Sequence, residues 1–350
     1  MKKLGPVREK QNKILDRMSA LDLEVKCDIL LSIVSEEFIW SFALDGRAYS
    51  MNDIVPYMAF YLGTVEGYTR PYPYSYFLEK VTFMLLDASQ RCYNPLTEER
   101  LYSWQRSLFP FSYNGSQKVI VNRYRSDEIK LGVGPVGSER LGFVGPEPER
   151  IREEMDRLIK WMNEEEEGMD PVIKAAIAQL WFLLICPFDD GNGTVAREIR
   201  ELFLARSDNR VFDDVFRMRS CSMSNEVRTR ITEYYDTLEQ TVKGDGDITL
   251  WLLFFLDCFD KAISTTEMTI AKSLFWQAHK DVDLNKRQRK IINSLFDGFT
   301  RDLLTREEIC DYYLEISQKD VRALIEKGLL KDNGESAKIR FSVVMDHPSQ

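Results

Sequence analysis

Histidine is nearly missing from this chain. Among 350 residues there are two, His279 and His347, which argues against a histidine-rich metal centre. His347 sits in a tail expected to fray. The six cysteines, Cys27, Cys92, Cys186, Cys221, Cys258 and Cys310, include no C-x-x-C pair. They read as reduced thiols of a cytoplasmic protein, not as a disulfide frame. A positive surplus is also lacking. The net charge of −9 argues against a general nucleic-acid coat and against attraction to an anionic membrane. Long apolar runs are absent too: Leu250 to Phe259 is too short to span a bilayer and reads as buried helix. Met1 to Lys10 is polar, without the apolar centre of a signal peptide.

What is present is one concentrated stretch, Cys186-Pro187-Phe188-Asp189-Asp190-Gly191-Asn192-Gly193-Thr194-Val195-Ala196-Arg197. An apolar segment from Val172 to Ile185 leads in, and a periodic one from Val195 to Ala205 leads out, so the order is helix, tight loop, helix. Gly191 and Gly193 permit positive φ. Such a loop can aim successive N–H groups at one point, and the next helix adds its own unpaired donors, an arrangement suited to phosphate. Asn192 can donate to a phosphate oxygen, and Arg197, about one turn beyond Gly193, can reach back over it. Asp189 or Asp190 can hold Mg²⁺ bridging to a nucleotide. A capped turn without a ligand is the bland alternative; the whole constellation favours the anion site.

These residues resemble the Fic (Fic/Doc) family, which carries H-P-F-x-D/E-G-N-G-R-x-x-R between two helices. Pro187, Phe188, Asp190, Gly191, Asn192, Gly193 and Arg197 match. Cys186 stands at the catalytic His, and Thr194 at the first Arg. The resemblance implies AMP transfer from ATP to a hydroxyl of an unknown target protein. It implies Mg²⁺ at Asp190, catalytic positions at Cys186, Asn192 and Arg197, and nucleotide binding by Phe188, Gly191, Asn192, Gly193, Thr194 and Arg197, with Arg197 on the terminal phosphate. An ordinary thiol, with a pKa of about 8.5, is a poor base near neutral pH. The anion site and Arg197 could lower that value and make Cys186 a thiolate base or nucleophile. A Thr for Arg removes a bidentate clamp. The expected protein therefore binds ATP and Mg²⁺ with weak or lost transfer. The alternative is a non-catalytic regulator acting through its C-terminal segment on protein or DNA.

A second stretch, Ser41-Phe42-Ala43-Leu44-Asp45-Gly46, read alone is a helix ending at a glycine, with Ser50 capping the next. Beside the family it resembles the inhibitory helix, about residues 31–46, with S/T-x-x-x-E-G/N. The resemblance implies that Ser41, Asp45 and Gly46 are inhibitory and that Asp45, in place of Glu, pairs with Arg197. Thr64-Val65-Glu66-Gly67 ranks below it, because Leu62 stands where Ser or Thr is needed.

The fold class expected is mainly α: a Fic-fold helical bundle with a small β-hairpin flap and a C-terminal winged helix. Its domains are 1–110, a helical region; 111–265, the core; and 280–350, the winged-helix segment. Val7 to Leu44 reads as helical, and the aromatics of 57–77 as packing between helices. Pro95–Phe109 reads as a short helix from Thr97, and Tyr124-Arg125 followed by Glu139–Pro146 resembles the flap, which holds extended peptide. Helices follow over 148–163, 213–242 and 248–276. In the last segment helices are expected over 286–296, 304–309 with Thr305 as cap, and 317–330. Charges there roughly cancel, so protein contact or a homodimer is favoured over DNA.

Overall fold

The computed structural model describes residues 2–63, 71–133, 140–164, 168–208, 219–296, 304–305, 318–332 and 340–343. The chain divides into two compact units, Met1–Thr266 and Glu267–Gln350. Residues 1–110 and 111–265, read from the sequence as two domains, fall within the first unit.

That unit is helical: α1 Leu4–Ser19, α2 Leu23–Leu44, α3 Met51–Leu62, α4 Tyr76–Gln90, α5 Glu98–Leu108, α6 Pro148–Asn163, α7 Pro171–Ile185, α8 Asn192–Asp208, α9 Ser224–Thr229, α10 Ile231–Lys243 and the start of α11 Thr249–Ala278. Local chemistry sets many ends. Thr97 accepts from Arg100 N at the start of α5, and Asp170 from Val172 N at the start of α7. Ser50 and Asp53 form a capping box on α3. Ile151, Met155, Leu158 and Met162 bury one stripe of α6. The span 7–44, read as one helical stretch, is two helices broken at 20–22. Two antiparallel hairpins interrupt the helices: β1 Tyr113–Asn114 with β2 Gln117–Lys118, and β3 Lys130–Val133 with β4 Arg140–Val144. The second lies where the flap was expected.

The core centres on α7 and α8. Phe182, Phe188 and Phe203 are fully buried there, with Phe38, Phe42 and Trp104 from the surrounding helices. Nearly every residue of α8 is buried, charged ones included.

In the second unit α12 is Lys286–Phe296 and α13 Gln318–Glu326, with strands β5 Leu304–Thr305, β6 Leu330–Asp332 and β7 Arg340–Val343 in the order β5-β7-β6. Ile291, Ile292, Leu295, Val321, Leu324 and Leu330 build its core. Leu304 and Thr305, expected to open a helix, pair instead with Phe341 and Arg340 in the sheet. The Thr64–Gly67 candidate, residues 209–218 and residues 306–317 lie outside the described residues. Among the described residues no helix is long and apolar enough to cross a membrane.

Candidate functional site

The loop between α7 and α8 is built by side chains that hold backbone. Helix α7 ends on Cys186, whose φ of 46° and ψ of 62° are left-handed. Outside glycine that conformation costs about 1–2 kcal/mol, so something must hold it. The Cys186 amide donates to Phe182 O at 2.9 Å. Its carbonyl accepts from Arg125 Nε at 2.8 Å. Arg125, 4% exposed, also donates to the carbonyls of Asp127 and Pro146, each at 2.7 Å. Its own amide donates to Pro187 O at 2.8 Å. One buried guanidinium thus ties the base of the β3–β4 hairpin to the end of α7. A Cβ on Gly145 would come within 2.8 Å of its Nη2.

Asn192 closes the loop. Its Oδ1 accepts from Phe188 N at 2.9 Å and its Nδ2 donates to Phe188 O at 2.7 Å. Each end of the amide holds the loop, so Asn192 shapes the turn, while its Nδ2 carries a second N–H available to a ligand. Phe188, expected to bind nucleotide, is fully buried against Tyr124 and Phe182, which makes it core. Of the two glycines only Gly191 has positive φ, 85°, and a Cβ there would sit 2.9 Å from Leu108 and Phe109. Gly193 lies inside the first turn of α8, which begins at Asn192. What it supplies is closeness, since a Cβ would stand 3.3 Å from Arg197 Nη1.

The end of α2 meets this loop. Gly46, with φ of 74°, follows Asp45; Arg47 N donates to Phe42 O at 3.0 Å and Gly46 N to Ala43 O at 3.1 Å, the pattern of a glycine-terminated helix. Arg197 Nε donates to Ser41 Oγ at 2.7 Å. Its Nη2 donates to Ser41 O at 2.9 Å and to Asp45 Oδ2 at 2.6 Å. Thr194 Oγ1 donates to the same Asp45 oxygen at 2.6 Å. Asp45 and Arg197 therefore do meet, although the acid is one methylene shorter than Glu. The seam runs one turn deeper. Glu37, four residues before Ser41, accepts from Arg200 Nη2 at 2.6 Å, Met223 N at 2.9 Å and Ser224 N at 3.0 Å. Arg200 Nε donates to Glu201 at 3.1 Å, and Arg219 to Asp208 at 2.6 Å.

Between α2, α7, α8 and α10 lies a cavity of about 170 Å³, lined among others by Asp45, Cys186, Gly193, Arg197, Arg200 and Tyr234. The loop, with Arg125, Arg197 and Arg200, lies on the segment that matches the Fic/DOC family, residues 95–204, and that segment supplies part of the cavity lining. This stretch is a Fic/DOC domain. Protein adenylyltransferase fic-1 of Caenorhabditis briggsae is 39% identical over 66 residues, 19% of this chain and 13% of that protein. Protein adenylyltransferase Fic of Drosophila ananassae is 30% identical over 123 residues, 35% of this chain and 22% of its own length. Both matches span well under half of those relatives. A Fic family protein from Desulfovibrio desulfuricans G20 shares the fold at TM-score 0.53 and 15% identity, over 100% of this chain and 98% of its own. A Fic domain containing signaling protein from Bacteroides thetaiotaomicron VPI-5482 does so at TM-score 0.53 and 17% identity, over 75% of this chain and 96% of its own.

In this Fic domain Cys186 is a fully buried thiol. Burial pushes Cys186 up to about 12, Arg125 opposing and Asp190 adding to the rise. The direction is opposite to the lowered value expected from the sequence, and it favours the protonated thiol at neutral pH. Asp190 accepts from Gly191 N at 2.7 Å and from Asn114 Nδ2 at 2.8 Å. No group of three or more His, Cys, Asp or Glu suited to a metal occurs among the described residues. One carboxylate completed by water and phosphate is nonetheless a donor set that Mg²⁺ takes, so Asp190 fits once Asn114 yields.

Glu198 is a further charged residue of the Fic domain that spacing did not single out. It is 1% exposed and its Oε2 has no partner. Burial, then Glu201 and Glu37, raise its pKa well above the usual carboxylate range. The folded state therefore holds a proton that the unfolded chain releases above about pH 4.5. Stability from this group is full below that pH and is lost as pH rises toward the folded value. Glu198→Gln is expected to raise the melting temperature at pH 7–8, with the gain vanishing near pH 4. A melting-temperature series across that range checks it; an equal gain at every pH would count against the protonated carboxyl.

Proposed function

We propose that this is a Fic-family protein that binds ATP with Mg²⁺ and keeps its own phosphate site shut with Asp45, with AMP transfer to a protein hydroxyl weak or lost. The observation that carries this reading is Arg197, held by Ser41 and Asp45 from α2 while it lines the cavity. The amides at the start of α8 and the positive end of its dipole favour a phosphate beside Gly193. Arg197, once released, is placed to take a terminal phosphate in a charge-assisted hydrogen bond. Asp190 would hold Mg²⁺, which when bound neutralises phosphate charge. No residue at 186 accepts the hydroxyl proton, because a buried thiol keeps its own. The target is a protein of unknown identity; a homodimer fits the reading better than DNA. The setting we propose is cytoplasmic, since Cys27, Cys92, Cys186, Cys221 and Cys258 are free and buried.

Calorimetry with ATP and Mg²⁺ tests the reading. Asp45→Gly is expected to bind about tenfold or more tightly than the parent chain, the worth of one charged hydrogen bond returned to the ligand. No heat of binding in either protein would end this proposal.

A further inference from the structure

Arg200 stands out among the buried cations. It is 0% exposed, yet it lines the same cavity as Arg197. Two of its three nitrogens are taken: Nε donates to Glu201 at 3.1 Å, and Nη2 to Glu37 at 2.6 Å and Ser224 Oγ at 3.0 Å. The third, Nη1, is buried with no hydrogen-bond partner. A buried donor left unpaired costs about 1–3 kcal/mol, more for a charged group, and each such group in a native fold calls for an explanation. Arg200 follows Arg197 by three residues on α8, so the two side chains share one face. Thr194, at the shallow end of that face, carries no charge. Glu198, held protonated by burial, adds no negative charge beside them.

We propose that Arg200 Nη1 is a second phosphate contact in this cavity, placed one turn deeper than Arg197. The preferred ligand is then a nucleotide with more than one phosphate, its terminal group reaching both arginines. This assignment rests on the nucleotide-binding reading above. The carboxylates of Glu37 and Glu201 fix the guanidinium so that only Nη1 is left to offer. They also offset its charge, so the contact selects for phosphate geometry more than for charge alone.

The test uses the full chain carrying Asp45→Ala, so that Arg197 is free, and measures AMP, ADP and ATP affinities with Mg²⁺ by calorimetry. ATP is expected to bind at least about tenfold more tightly than AMP. Adding Glu37→Gln with Arg200→Met removes the buried charges as a pair and keeps an acceptor for the amides of Met223 and Ser224. That double change is expected to lower ATP affinity about tenfold or more while AMP changes less than about threefold. Glu37→Gln alone should keep the ATP preference. If the double change unfolds the chain, Arg200→Lys is read instead: its single ammonium serves Glu37 and not the cavity, so the ATP preference should fall. An ATP preference unchanged in a folded Arg200 variant overturns the assignment and leaves nucleotide binding standing. Absence of all three nucleotides from the Asp45→Ala parent overturns both.

Discussion

A chain carrying Cys186→His and Thr194→Arg on top of Asp45→Gly is expected to transfer AMP from labelled ATP about 10²–10⁴-fold faster than Asp45→Gly alone, the usual worth of a positioned general base. The reason lies in the backbone. Cys186 sits at φ 46° and ψ 62°, a conformation that His adopts more readily than most non-glycine residues. Arg125 and Phe182 already hold that geometry through the Cys186 carbonyl and amide. An imidazole with an ordinary pKa of about 6.5 accepts a proton near neutral pH, whereas the thiol, pushed up to about 12, does not. Arg at 194 restores a forked donor beside the start of α8. The assay is incorporation of label into lysate proteins. A triple variant that binds ATP and still labels nothing would mean that more than these two positions has been lost. Strong labelling by the unmodified chain that disappears in Cys186→Ala would instead make the thiol an agent.

Truncating Glu37 should have the largest effect on stability. Its side chain is 5% exposed and Arg200's 0%, and it caps the amides of Met223 and Ser224 from another helix. Glu37→Leu leaves Arg200 and both amides short of an acceptor, and is expected to cost about 3–5 kcal/mol in urea unfolding. Asp45→Ala should cost less than about 1 kcal/mol, because the Asp45 side chain is 34% exposed. The polar seam between α2 and α8 is thus graded, strong at Glu37 and weak at Asp45. Hydrogen exchange should show residues 42–47 opening far more often than 30–40, and Asp45→Ala should widen that difference. Equal protection along the whole helix, or a cheap Glu37→Leu, would remove the gradient.

Much of this architecture is legible in the sequence. Gly46 at the end of α2, Thr97 and Ser50 at helix starts and the helix over 148–163 are local signals, written within a few residues. The meeting of Ser41 and Asp45 with Arg197 was legible only through a family pattern, since more than 150 residues separate them. Arg125 was legible as part of the flap, but its task was not. It acts on carbonyls, which every residue has, so no partner type marks it. Glu37, Glu198 and Arg200 were hidden for a different reason. Charged residues on a helix ordinarily read as its wet face, and α8 is buried all round while much of α2 around Glu37 is buried too, so periodicity could not separate the faces. The hold of Asn192 on its own loop and the helical backbone of Gly193 are not legible, because residue type alone does not say whether an amide braces its own loop or whether a glycine uses positive φ. Leu304 and Thr305 were misread since a cap residue before two acids also suits a short strand once Phe341 and Arg340 offer a partner.

The absent side chain at Gly193 has a consequence for how this protein can vary. A Cβ there would lie 3.3 Å from Arg197 Nη1 and 3.7 Å from Asp45 Oδ1, and Thr194 fills the remaining space with a hydroxyl bonded to Asp45 at 2.6 Å. The gap between the two helices is thus a gauge, cut to one short acid, one bare backbone and one small alcohol. A longer acid at 45 could keep these bonds only with its extra methylene bent toward the exposed side of the helix end. The three positions form a matched set, and a change at one sets what the other two can be.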